Sequence, residues 1–260
     1  MEGYCIPRGF IENDALPKNA EILMQSIRPA QARGQSEFPG LRSMHSFSFG
    51  HYLDRAHMGF GALRVINEDH LSPGSGFPMH VHKDMEILSF VRSGSLRHQD
   101  SLGHRSIIGP GEVQRMTAGT GISHSECNVS DLDAVAFLQV WIEPEKDGLE
   151  PSYQQKSFAS ATNDGLTLVA SREGRDGSLT IHQQVDVYLG RLQTGSSIKH
   201  RLGHSRVGWL QMLSGAVASG SADLRQGDGM ALADVEELTV DAVMDSEFLL
   251  FDMGRQGQHR

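Results

Sequence analysis

His80-Val81-His82 places two imidazoles two residues apart, and His124-Ser125-Glu126 places an imidazole and a carboxylate two apart some forty residues later. On a strand, residues i and i+2 point to the same face, so each pair presents both donors on one side. Two such strands side by side in a barrel would bring three imidazoles and one carboxylate together in its interior. A nitrogen and oxygen shell of this kind suits Fe(II), and also Ni, Cu, Mn or Zn, with room left for an exchangeable ligand. An open position of that kind is what a catalytic metal needs.

A lone H-x-H is common on surface strands, so the surrounding residues carry the argument. Gly74 lies six residues before His80, and Glu86 lies four after His82, which is the G-x5-H-x-H-x3-E spacing of a first cupin motif. Gly111 begins a second motif that ends at His124. The stretch from His80 to Glu86 and the stretch from Ile108 to Glu126 resemble the signatures of the pirin family, and Met58 to Asn67 is similar to that family's N-terminal part. The resemblance is strong over Met44 to Pro144 and looser elsewhere. It is nearest to bacterial two-cupin members with quercetinase activity.

The resemblance implies His80, His82, His124 and Glu126 as ligands of one divalent metal, with Fe(II) first among those above. It implies a dioxygenase that opens the ring of a flavonol such as quercetin and releases carbon monoxide. Glu126, or Glu86 nearby, is then the candidate general base. Glu86 shares strand parity with His80 and His82, so it either orients a histidine or sits as a satisfied carboxylate at the barrel mouth. Thr117-Ala118-Gly119 stands where ordinary cupins have P-x-G, as the family itself does, and the one local departure from the family pattern is Val81, where proline is frequent. Met79 is expected to make the pocket mouth more apolar. The resemblance also leaves a different class of function open, a metal-binding regulator that acts on transcription or metabolism through a protein partner.

The elements that must hold these residues read as strands. Short apolar or alternating runs at Gly61 to Ile66, Glu86 to Val91, Ser106 to Ile108 and Ala134 to Ile142 are separated by turn signals such as Pro73-Gly74-Ser75-Gly76 and Gly109-Pro110-Gly111. The expected fold class is all-β, with two tandem jelly-roll cupin barrels. Residues 1–35 read as an extension on the first barrel, 36–145 as the metal-binding barrel, 146–165 as a connector and 166–260 as a second, metal-free barrel. The halves echo each other at Ser93-Gly94 and Ser214-Gly215, and at Gly111-Glu112 and Gly227-Asp228. Counting from those glycines places Arg201 and Gly203 opposite His80 and His82, and Val240 and Ala242 opposite His124 and Glu126. His200 and His204 are four apart, a helical spacing unsuited to one strand.

Other histidines are set aside: His45, His51 and His57 as surface or hydrogen-bonded core, His98 and His104 as solvated residues flanking a turn. Cys127 is expected to face away from the metal. The two cysteines, Cys5 and Cys127, cannot make a disulfide framework. The net charge of −9 argues against a nucleic-acid partner. Met1 to Asn19 lacks a basic start followed by an apolar core, and no run approaches the ~18 apolar residues of a membrane span. The expectation is a cytoplasmic monomer that binds an aromatic small molecule and dioxygen.

Overall fold

The computed structural model describes residues 25–160 and 163–255, so Cys5 and the stretch from Met1 to Asn19 lie outside the described residues. The described chain is built from strands with two single-turn 3-10 helices. In the first half these are β1 (Gln25–Arg28), β2 (Gly34–Phe38), β3 (Leu41–His45), β4 (Leu63–Leu71), β5 (Gly76–His82), β6 (Glu86–Ser93), β7 (Leu96–Asp100), β8 (Arg105–Ile108), β9 (Glu112–Thr117), β10 (Ile122–Asn128), β11 (Val135–Ile142) and β12 (Ser152–Ser157). In the second they are β13 (Gly165–Ser171), β14 (Leu179–Thr180), β15 (Val185–Leu192), β16 (Ser197–Arg201), β17 (Arg206–Ser214), β18 (Ala216–Ser219), β19 (Ala222–Arg225), β20 (Gly229–Ala233), β21 (Glu237–Ala242) and β22 (Ser246–Gly254).

Each half is a jelly roll of one seven-stranded and one four-stranded sheet. The first half has orders β12-β9-β6-β11-β4-β3-β2 and β5-β10-β7-β8. The second repeats them as β1-β20-β17-β22-β15-β13-β14 and β16-β21-β18-β19. The echoed glycines fall at matching turns: Gly94 has φ +73 and Gly215 has φ +80, where a Cβ would meet the carbonyl oxygens of Ala134 and Asp245 at 2.7 and 2.2 Å. No other residue type fits such a turn without strain.

Matching the halves strand by strand corrects two expectations. The N-terminal segment does not simply extend the first barrel. Gln25–Arg28 pairs antiparallel with β20, from Gln25 opposite Leu232 to Arg28 opposite Gly229, and closes the edge of the second barrel's large sheet. The stretch read as a connector likewise contains β12, which pairs with β9 from Ser152 opposite Thr117 to Ser157 opposite Glu112. Both segments are too polar to look like core strands, because an edge strand buries little and is held by its ladder of backbone hydrogen bonds.

The two large sheets pack face to face. Strands β6 and β11 are buried on both faces, which is why their sequences read as continuous apolar runs. Leu88, Phe90, Leu138, Val140 and Ile142 point to the second barrel and share one core with Leu189, Trp209, Leu213 and Phe251. The alternate residues line the first barrel, where the apolar side chains form two separate clusters. Val65, Ile87, Met116 and Trp141 make one; Leu71, Val91, Leu96 and Phe137 make the other. Between them runs a polar row in register across the sheet: Gln114 opposite Ser89, Ser89 opposite Gln139, Gln139 opposite Asn67, and Asn67 opposite His45. The second barrel has no such row among the described residues. Its interior is one apolar cluster that includes Leu210, Met212, Met230, Leu238, Val240 and Phe248.

Candidate metal centre

The polar row faces β10 across the first barrel. On β10, burial alternates strictly, with His124 and Glu126 inside and Ser123, Ser125 and Cys127 turned outward. On one side β10 pairs with β5, His124 opposite His80 and Ile122 opposite His82. The register slips between His124 and Glu126, where β5 carries an extra residue and Glu126 lies opposite Phe77. That bulge lets Phe77 pack inward while His80 and His82, three and five residues on, also face the interior. Met79 and Val81 lie on the opposite face, 53% and 57% exposed, so Met79 does not line the mouth as expected.

The three imidazoles surround one point: ring centroids are 4.7 Å apart for His80 and His82, 4.5 Å for His80 and His124, and 4.8 Å for His82 and His124. His80 is partly open to solvent, whereas His82 and His124 are buried. His80 donates Nδ1–H to the Pro78 carbonyl at 2.7 Å, which leaves Nε2 bare. Nε2 of His82 and of His124 is buried with no hydrogen-bond partner. Burial and the neighbouring His80 push the His82 imidazole down to about 3, and burial lowers His124 further. All three rings are therefore neutral near pH 7 and present lone pairs rather than charges.

Glu126 lies fully buried next to His124 and His98, outside the close grouping of His80, His82 and His124. Its Oε1 accepts from the Ser89 hydroxyl at 3.2 Å and its Oε2 from the Gln139 amide at 2.6 Å. The Trp141 indole donates to the Gln139 carbonyl at 3.1 Å and packs edge-on against His82, 4.9 Å between centroids. Burial, reinforced by the charge of buried Asp69, raises the Glu126 carboxyl from 4.5 to about 7. A carboxylate held out of water among neutral imidazoles is a costly arrangement without a cation. Orphaned buried nitrogens with a buried carboxyl close to one of them fit a divalent metal, whose charge would complete the set.

Two residues read otherwise in the sequence change place. His98 is fully buried rather than solvated. It lies opposite Glu126 on β7 and forms a second close grouping with His124 and Glu126. Its signal was available as parity, since His98 and Asp100 alternate on a strand as His124 and Glu126 do. Glu86 is also fully buried, but it is engaged by Thr117, at 2.9 and 3.1 Å, and by His182 Nδ1 of the second half at 2.8 Å. It does orient a histidine, yet that histidine comes from the other half and Glu86 bonds to none of the clustered ones.

In the second barrel the paired registers shift the expected correspondences. Gly94 and Gly215 each precede by two the residue paired with the end of the long inner strand, Leu96 with Asn128 and Val217 with Ala242. Leu238 and Val240 thus stand where His124 and Glu126 do, and His200, opposite Leu238, stands where His80 does. His200 bonds instead to Asp252 at 2.9 Å. The ungapped count missed by one or two residues because loop lengths differ between the halves.

Fold and site define a two-barrel cupin whose first barrel encloses three imidazoles and a carboxylate while the second is packed with hydrocarbon. Residues 26–142 match the Pirin family and residues 168–253 match the quercetinase C-terminal cupin domain. The chain is 42% identical over 227 residues to quercetin 2,3-dioxygenase of Escherichia coli (strain K12), which covers 87% of this chain and 97% of that protein. It is 36% identical over 227 residues to a pirin-like protein of Caulobacter vibrioides, 86% of this chain and 97% of the relative. A crystal structure of the Escherichia coli bacterial pirin YhhW in complex with nickel(II) superposes with a TM-score of 0.87 and 41% identity, covering 90% of this chain and 100% of that one. The chain belongs to the pirin family. No helix among the described residues is long and apolar enough to cross a membrane.

Proposed function

We propose that this protein is a metal-dependent dioxygenase that opens the ring of a flavonol such as quercetin with release of carbon monoxide. In this reading His80, His82, His124 and Glu126 hold one divalent metal, iron(II) in the native enzyme. The observation that carries it is the pair of buried, unpartnered Nε2 atoms on His82 and His124, with a buried carboxyl close to His124. The activities of the relatives support it. When bound, the metal supplies Lewis acidity toward the flavonol hydroxyl and a place for dioxygen to meet the activated ring.

The chain's own groups account for orientation and for the proton. His80, the partly open member, marks the side from which an aromatic substrate enters. Trp141 packs on His82 and fixes Gln139, so the ring and the carboxylate are braced by one side chain. Glu126, the carboxylate of the set, can take the proton of a flavonol hydroxyl. The proton is expected on Oε1. The Ser89 hydroxyl there can turn from donor to acceptor, whereas the Gln139 amide nitrogen at Oε2 can only donate. In this reading Glu86, held by Thr117 and His182, does not share this role.

The test is oxygen uptake and carbon monoxide release by the iron(II)-loaded protein with quercetin and related flavonols. Turnover that disappears in His82→Ala supports the reading. No oxygen uptake with any flavonol, together with a protein partner retained only by metal-loaded protein, would overturn it in favour of a regulatory pirin.

A further inference from the structure

Behind His124, away from His80 and His82, lies a chain of polar contacts that the catalytic reading does not use. Asp100 on β7 has no exposed side-chain surface, and both of its oxygens are engaged, with the His104 ring nitrogen in reach of each, at 3.2 Å from Oδ1 and 3.0 Å from Oδ2. Oδ1 accepts the backbone N–H of Leu102 at 2.9 Å and of His104 at 3.0 Å, which closes the β7–β8 turn. Oδ2 accepts from His98 Nε2 at 3.1 Å and from His104 Nδ1 at 3.0 Å. The other nitrogen of His98, Nδ1, faces Nδ1 of His124 at 3.5 Å, the longest link of the chain. The His98 ring is clamped against Tyr153 of β12, stacked at 4.8 Å between centroids, and Tyr153 stacks in turn on His104 at 5.0 Å.

An ionised carboxylate only accepts, so the chain has one direction. His98 must carry its proton on Nε2 to meet Asp100, which leaves Nδ1 bare. A bare His98 Nδ1 can only accept from His124 Nδ1–H. His124 is then left with its lone pair on Nε2, the atom that has no partner in the protein.

We propose that Asp100 and His98 are positioning residues that set the tautomer of His124, so that its Nε2 is presented to the metal as a ready lone pair. Both nitrogens of His98 are committed to this chain, so the close grouping of His98, His124 and Glu126 is not a second ion site. The inference rests on the ligand reading of His124, but the tautomer itself can be read without metal.

Asp100→Asn tests it, because an asparagine keeps the Oδ1 turn and replaces the Oδ2 acceptor by a donor. The amide would force His98 to carry its proton on Nδ1 and His124 to carry its own on Nε2. In ¹⁵N-labelled metal-free protein, long-range ¹H–¹⁵N spectra should show His124 protonated at Nδ1 in the wild type and at Nε2 in Asp100→Asn. The His124 signals are those lost in His124→Gln. Nickel(II) affinity should fall roughly 10–100-fold in Asp100→Asn. His98→Asn, which retains an acceptor near Nδ1, should keep the wild-type tautomer and most of the affinity, whereas His98→Leu should lose both. A wild-type His124 protonated at Nε2, or nickel binding unchanged in Asp100→Asn, would overturn the proposal. Wild-type protein that binds no nickel would overturn the ligand reading instead, and the spectra would still decide the relay.

Discussion

Replacing Glu126 by glutamine should stabilise the metal-free protein while weakening its metal binding. Glu126 is completely buried, and burial raises its carboxyl from 4.5 to about 7. A carboxylic acid whose folded value lies above its unfolded one favours folding at low pH and opposes it as pH rises. The penalty is absent below 4.5, grows between 4.5 and about 7, and is complete above that. A rise of this size, at about 1.4 kcal/mol per unit, makes the ionised carboxylate a cost on the order of 3 kcal/mol at pH 8. The glutamine carbonyl can still accept from Gln139, and its amide can donate to the Ser89 hydroxyl, so the contacts survive and the charge does not. At 2–4 °C per kcal/mol for a chain of this size, the metal-free variant should melt roughly 6–12 °C above the wild type at pH 8. At pH 5 the gap should shrink to roughly a quarter of that, because the unfolded carboxyl has only begun to gain from ionising while the folded one is still protonated. The assay is calorimetry or circular dichroism of chelator-treated protein at both values, followed by nickel(II). The wild type should gain more from the ion than the variant. A variant no more stable than the wild type at pH 8 would refute the idea that the barrel holds this carboxylate at a cost that a cation repays.

Three further outcomes follow from the same geometry. Metal uptake near pH 6 should release close to one proton per ion, because Glu126 must ionise while His82 and His124 are already neutral; measuring proton release in weakly buffered solution from pH 5 to 8 should show it fading above about 7. Glu86→Gln should keep its metal and its turnover, because its bonds run to Thr117 and to His182 of the second half and to none of the clustered histidines; loss of turnover at full metal occupancy would make Glu86 the base after all. Deleting residues 1–28 should expose the β20 edge of the second barrel and raise amide exchange in Met230 to Leu232 far more than in β9 of the first; uniform exchange would contradict the strand exchange.

Much of the site was legible in the sequence for a simple reason. Strand parity is local: His80 and His82, or His124 and Glu126, share a face whatever the rest of the chain does. The turns at Gly94 and Gly215 were equally readable, since a positive φ together with a carbonyl oxygen in the way of any Cβ demands glycine there. The family's motifs then placed these pairs in a two-barrel cupin. Registers between distant strands are not local, and they decided the rest. Only folding brings His98 opposite Glu126, sends Glu86 to His182, and aligns Gln139 and Ser89 under the carboxylate. Edge strands were illegible for a related reason. Gln25–Arg28 and Ser152–Ser157 are held by backbone hydrogen bonds to partners far along the chain, and such bonds leave little trace in side-chain pattern. The sequence by itself determined which donors exist and which of them share a face. The tertiary structure decided which are left without partners in a dry interior, because burial and long-range pairing belong to the whole barrel.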